Sequence, residues 1–340
     1  MSPSALASSV DLLLERCIGQ KVKIPHMFDL CPAWPLQLNV LDEEVEVHVE
    51  AWRKDLVRWL KDPRDYKRVR DTNSTLFARG GVPHADLPFV VTAAEFAAWI
   101  YFWDDALDLG DFDQKPHEAE VLRRETIEAF RLGIFEADDL ATGLYKVAPT
   151  YKHAQSLYQI GADLCTTGKS VSLNRFIFTS MDEYLKAAIL LQTTFDHGRI
   201  LEIDDYLNIR LSSSGVIPVI GISIHAHQVA YPDWFFDNLL VKKMLELSNI
   251  IIWASNDILS ARDELKFKRV DNMIPLLMYH KGLDAQEAVD ETAMIVTRAY
   301  LQFLELEPQI LEIGAEFGIS HEVQCFIASC KSCCIGIFHW

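Results

Sequence analysis

The chain has 340 residues, half of them hydrophobic, and a formal net charge of −17. That acidic balance, with no basic stripe, argues against a nucleic-acid partner. No apolar run reaches about 18 residues, so no membrane span is expected, and the first 30 residues lack a basic-then-apolar leader, so a cytoplasmic location is expected.

Residues 1–20 read as a flexible N-terminus and residues 21–340 as one helical domain, because no linker, low-complexity tract or internal repeat divides them. A chain this long buries roughly three quarters of its unfolded surface, enough for a core and a cavity. Its 18 Phe, 10 Tyr and 8 Trp supply large side chains for both.

Val45, Val49, Trp52, Leu56 and Trp59 keep a helical period until Pro63 stops it. An apolar stretch from Phe89 to Trp103 follows, and Thr92 to Asp108 reads as a buried helix ending in Trp103-Asp-Asp-Ala-Leu-Asp108. Asp104 and Asp108 are i and i+4 and share a face, whereas Asp105 points about 100° away. In so acidic a chain such a cluster also arises as solvated surface. A calcium loop does not fit, since the ligand alternation and glycine position are wrong.

Leu239 to Glu264 reads as another helix. Asn256, Ser260 and Glu264 fall at i, i+4 and i+8, one stripe drifting about 40° at each step of four residues. The residues before them, Ile250 to Ala254, are almost wholly apolar, so the stripe looks inward and needs partners. Read alone, it is also compatible with a helix end bearing a polar face. An amide oxygen, a hydroxyl and a carboxylate aimed at one point make a hard, oxygen-only metal site. Together the two stripes bracket a cluster of Mg²⁺ ions, and Mg²⁺ prefers to bridge carboxylates to phosphates. The ligand implied is phosphorylated, most simply a diphosphate.

Farther along, Asp284 and Glu287 form a capping box that starts a helix to about Leu304. Strand alternation and Asn-Gly or Asp-Gly hairpin turns are missing, so the fold class is all-α. Of the seven cysteines, Cys330 and Cys333 form a CxxC. A zinc or redox role lacks a second such pair, and small buried hydrophobes on a C-terminal helix are the better reading.

Asp104-Asp-x-x-Asp108 and Asn256-Asp-x-x-Ser260-x-x-x-Glu264 resemble, in order and spacing, the two metal motifs of class I terpene synthases. Arg210, 46 residues before Asn256 and followed by Ser212-Ser-Ser-Gly215, resembles that family's diphosphate-sensing arginine and helix break. The resemblance runs from about Ile24 to the last residue and is strongest to fungal sesquiterpene synthases. It implies an α-bundle around an apolar cavity, about three Mg²⁺ ions as cofactor, and an allylic diphosphate substrate. By carry-over, Asp104, Arg210, Asn256, Ser260 and Glu264 are catalytic. The metal falls to Asp104, Asp108, Asn256, Ser260 and Glu264, with Asp104 the surest. The substrate falls to Arg210, Ser214, Gly215 and Trp340 by the same carry-over, and to Tyr101, Phe96 and Trp253 because they stand one or two turns before Asp104 or Asn256 on their helices. The expected reaction is cyclisation of farnesyl diphosphate to a sesquiterpene hydrocarbon or alcohol, by a monomer or homodimer.

Two departures shape the alternatives. Asp263 stands where the family usually has a diphosphate-binding lysine. Gly336-Ile-Phe-His-Trp340 resembles the family's final tryptophan segment, but the Arg-Tyr pair six residues beyond it is absent, as in a chain truncated before that motif. A catalytically impaired homologue that binds diphosphate or metal is therefore the second reading. A chain-elongating prenyltransferase is the third, disfavoured because the second motif is not Asp-Asp-x-x-Asp.

Overall fold

The computed structural model describes residues 8–57, 67, 69–108, 112–137 and 152–340, and every regular element among them is helical. The first helix, α1 (Ser9–Cys17), occupies part of the stretch expected to be flexible. A capping box between Ser8 and Asp11 satisfies its first-turn amides, and Leu13 is 1% exposed, so the segment is anchored. Helix α2 (Asp42–Val57) carries the expected period through Leu56, while Trp59 and Pro63 lie outside the described residues. Then come α3 (Ser74–Gly81) and α4 (Leu87–Asp108).

Helix α4 is apolar all round, the mark of a helix buried on both sides. Val90, Ala94, Ala98 and Phe102, spaced by four, pack toward Val45, Val49 and Leu56 of α2 and Ala78 of α3. Phe96, Trp99 and Trp103 enter the main core on the other side. The helices α5 (Pro116–Glu136) and α6 (Lys152–Thr167) pair with one another, and α7 (Val171–Asp196) packs on α5.

After α7, α8 (Ile203–Ser213) and α9 (Val216–His225) are nearly continuous in sequence but broken at Ser214 and Gly215. Gly215 has φ +67°, and a Cβ there would lie 2.6 Å from Ile100 Cδ1, so the break demands glycine on two counts. The stretch 203–225 is long and apolar enough to cross a membrane. Here it is two separate helices packed against α7, with half of it buried.

Helix α10 (Leu239–Glu264) has the bounds expected from sequence and starts on Asn238, whose side chain accepts from Leu240 and Val241 amides. It packs on α11 (Met273–Lys281), α12 (Ala285–Phe317) and α13 (Ser320–His339). The Asp284/Glu287 box does open α12, but the helix passes Leu304 and Pro308 and ends only at Gly318, φ +67°. Phe303, Leu306 and Ile310 keep its buried face supplied, and that packing outweighs one lost hydrogen bond at proline. Cys330, Cys333 and Cys334 of α13 lie inside the core. Helix α13 crosses α3 at Gly80 and Gly336; a Cβ on Gly80 would sit 2.9 Å from Gly336 Cα. That close crossing carries Trp340 onto Phe77 and Tyr101.

Candidate active site

A cavity of about 340 Å³ opens between α4, the α8–α9 break, α10 and the end of α13. This is within the usual range for small-molecule sites. On α4 and on α10 the order is the same: apolar wall residues first, then oxygen-bearing polar residues beginning one turn later. Ile100 and Tyr101 precede Asp104, and Ile252 and Trp253 precede Asn256, Ser260 and Glu264. Arg210, Ser213, Ser214 and Gly215, with Ile337 and Trp340, complete the lining.

The polar residues are tied to one another. Tyr184 of α7 donates to Asp104 Oδ1 at 3.1 Å. Ser260 donates to Glu264 Oε1 at 2.7 Å, and Asn272 Nδ2 donates to Glu264 Oε2 at 2.9 Å. Arg210 Nη2 donates to Asn256 Oδ1 and to Asp257 Oδ1, both at 2.9 Å. Asp257, 1% exposed, also accepts from the Tyr206 hydroxyl at 2.5 Å and the Met273 amide at 2.9 Å. A buried carboxylate with three donors is well satisfied.

Among the described residues lining the cavity, four carboxylates (Asp104, Asp105, Asp263, Glu264) face two guanidiniums (Arg210, Arg269). Burial raises the Asp104 carboxyl to about 6, with Asp105 adding to the rise and Arg210, Tyr184 and Arg269 opposing it. Burial, then Asp257, raises Glu264 to about 7 against the pull of Arg210, Ser260 and Asn272. Burial opposes the charge on Arg210, but Tyr206, Asp257, Glu264 and Asp104 outweigh it and hold it protonated. Asp263 is exposed, but Asp104, Asp105 and Glu264 still outnumber Arg210 and Arg269; this excess of negative charge on hard oxygen donors suits divalent cations, and the donor set fits Mg²⁺. Arg210 Nε and Ser213 Oγ are buried on the cavity wall without a protein partner. Such groups are costly unless paired, and the oxygens of an anionic ligand would pair them.

The raised carboxyls predict a pH dependence. Their folded pKa values exceed the unfolded ones, so the folded state binds more protons between roughly pH 4 and 7. Their contribution to stability is therefore lost as pH rises through that window. The metal-free protein is expected to melt higher at pH 5.5 than at pH 8, and added Mg²⁺ to stabilise it more at pH 8, where both groups are ionised. Differential scanning fluorimetry at the two pH values, with and without Mg²⁺, checks this. Equal metal stabilisation at both would contradict it.

Of the residues proposed from sequence, Asp104, Tyr101, Arg210, Ser214, Gly215, Trp253, Asn256, Ser260, Glu264 and Trp340 all line this one cavity. Asp108 ends α4, but its side chain lies outside the described residues. Phe96 is a correction: 1% exposed, it stacks on Trp99 in the core and not on the cavity. Helical phase does not decide this, since Asn256 and Glu264 are equally far apart on α10; packing of the main core against this side of α4 does. Asp105 does line the cavity: Ile100, Tyr101, Asp104 and Asp105 of α4 all do, a face broader than one i, i+4 stripe. Asp263 lines it too, ion-paired with Lys266. Trp340 stacks on Tyr101 at 4.7 Å, and its indole N–H donates to the Thr72 carbonyl.

Sequence reasoning missed Asp257, Tyr206, Tyr184 and Asn272. The available signals were slight: Asp257 adjoins Asn256, and Tyr206 stands one turn before Arg210. Tyr184 and Asn272 gave none.

Comparison with known proteins places this geometry. Residues 95–302 match the family model described as terpene synthase family 2, C-terminal metal binding. A sesquiterpene cyclase of Aspergillus oryzae is 25% identical over all of this chain and 92% of its own length. A germacrene A synthase of Nostoc punctiforme is 24% identical, covering 92% of this chain and 93% of its own. Among solved structures, hedycaryol synthase in complex with HEPES superposes with a TM-score of 0.75 at 19% identity. That match covers 94% of this chain and 98% of the other and supports the shared fold.

Proposed function

This chain belongs to the terpene synthase family, and from that premise we propose that it ionises and cyclises farnesyl diphosphate to a sesquiterpene hydrocarbon or alcohol, releasing diphosphate. One observation carries the reading. Asp104, Arg210 and the Asn256/Ser260/Glu264 stripe, from three helices, line a single cavity that also carries an aromatic and aliphatic wall of Phe77, Ile100, Tyr101, Ile252, Trp253 and Trp340. The C15 chain length rests on the Aspergillus oryzae relative, which is named a sesquiterpene cyclase.

Asp104, with Asp108, on one side and Asn256, Ser260 and Glu264 on the other would hold Mg²⁺. When bound, the metal supplies Lewis-acid stabilisation of the departing diphosphate. Arg210 lends charge-assisted hydrogen bonds to the same leaving group, its Nε still being without a protein partner. Asn256 Oδ1 accepts from Arg210 here, so ligand binding at this end reorganises the Arg210–Asn256 bond. The apolar wall keeps water from the carbocation. Tyr101, Trp253, Phe77 and Trp340 offer ring faces or edges, each face worth about 0.5–2 kcal/mol to a cation.

The test is gas chromatography after incubation with farnesyl diphosphate and Mg²⁺, beside a chelator control and the Asn256→Ala/Glu264→Ala variant. The expected result is cyclic product that disappears in both controls. Folded protein giving no product would favour the second reading, an impaired diphosphate- and metal-binding homologue, for which the anionic Asp263 on the cavity wall is the specific observation.

A further inference from the structure

The helices bearing the two acidic motifs make little direct contact. Helix α10 packs chiefly on α12, α13 and α11, whereas α4 packs on α2, α3 and α6. Yet a shared metal cluster demands that their carboxylates be held at a fixed separation, within about 0.5 Å. Arg269 links the two sides. It lies five residues beyond Glu264, is 3% exposed, and lines the cavity. Its Nη2 donates at 3.0 Å to the carbonyl of Leu107, in the last turn of α4, and at 2.7 Å to Gln192 Oε1 of α7. Gln192 in turn donates to Asp113 Oδ1, in the segment that follows α4.

Each contact has a physical reason. The last carbonyls of a helix lack intrahelical partners, and a cation at a helix C-terminus satisfies both the acceptor and the dipole. The guanidinium fork bonds two acceptors at once, which a flexible ammonium does less rigidly. Arg269 is buried and shares the cavity lining with Asp104, Asp105 and Glu264, so its charge sits in an acidic surround.

We propose that Arg269 is a positioning residue, a clasp that sets the spacing between the Asp104 end of α4 and the Glu264 end of α10 and thereby the affinity of the site for Mg²⁺ with diphosphate. The inference rests on the reading of the cavity as a Mg²⁺–diphosphate site. It does not require that the chain turn over a terpenoid substrate.

The experiment measures Mg²⁺ binding in the presence of inorganic diphosphate by isothermal titration calorimetry, on the whole chain, for wild type, Arg269→Gln and Arg269→Lys. Arg53→Met serves as the structural control. Arg53 is 1% exposed, bonded to Glu46 and Ser74, and absent from the cavity wall, so its loss destabilises without touching the metal stripes. The expected result is a Mg²⁺ affinity about 10–100-fold weaker in Arg269→Gln, the usual size for losing an outer support of a metal ligand. Arg269→Lys should fall between, since it keeps the charge and one bond to Leu107. Arg53→Met should melt lower yet bind Mg²⁺ within about 2-fold of wild type. An Arg269→Gln affinity within that same margin, or an equal loss in Arg53→Met, would overturn the proposal. Wild type that binds Mg²⁺ and diphosphate but yields no cyclic product would overturn only the proposed function. Wild type that binds neither would overturn both.

Discussion

Replacing Asp257 with alanine is expected to destabilise the fold by about 3–5 kcal/mol, the range for removing one member of a buried ion pair. Three donors lose their acceptor at once: Arg210 Nη2, the Tyr206 hydroxyl and the Met273 amide. The amide begins α11, the hydroxyl and guanidinium belong to α8, and Asp257 itself sits on α10, so one carboxylate joins three helices. Water has no easy access to replace it, because the residue is 1% exposed. Arg210 would also lose the anion that orients it beside Asn256. Urea denaturation of wild type and Asp257→Ala measures the effect, with an unchanged slope as the check on two-state behaviour. A loss below about 1 kcal/mol would show that Arg210 finds adequate compensation from Glu264 and Asp104. Adding Arg210→Met to Asp257→Ala should recover part of the stability, since the orphaned charge is then gone.

The substitution Asp104→Asn is expected to act in the opposite direction on stability while removing activity. Burial and Asp105 hold the Asp104 carboxyl at about 6, so above that pH its ionised form costs the folded state stability. A neutral amide of the same shape removes the cost, and the melting temperature at pH 8 should rise or hold. Turnover of farnesyl diphosphate should fall by at least about 10²-fold, because the variant takes the surest carboxylate ligand from one side of the metal site. A stable protein with lost turnover is the pattern expected where a site is built against the preferences of the fold. Steady-state kinetics at saturating Mg²⁺ beside a melting curve decide it. Retained turnover would move the ligand role to Asp105 or Asp108, and a lower melting temperature would mean that the Tyr184–Asp104 hydrogen bond outweighs the burial cost.

These two residues mark what was legible beforehand. Asp104 was readable because it closes a long apolar run and shares a helical face with Asp108. Asp257 was not, although it adjoins Asn256, because a position 100° around α10 gains meaning only from what lies there. What lies there is Arg210, 47 residues away, together with the start of α11. Arg269 is a similar case: among several basic residues after Glu264, only the fold tells which one meets the Leu107 carbonyl.

The sequence by itself determined the helical class, the bounds of α10, the capping box of α12, and the Asn256/Ser260/Glu264 stripe. All of these are local, since 3.6 residues per turn and the chemistry of helix ends act within a few residues. Tertiary structure alone decided how far α12 continues past Pro308, that Phe96 faces the core while Tyr101 faces the cavity, and that Ser8–Cys17 is anchored. It also decided which carboxylates share one site. The reason is that a helix can turn about its axis without changing its own hydrogen bonds. Its rotation is settled by packing against partners distant in sequence, such as Ile100 against Gly215 or Gly80 against Gly336.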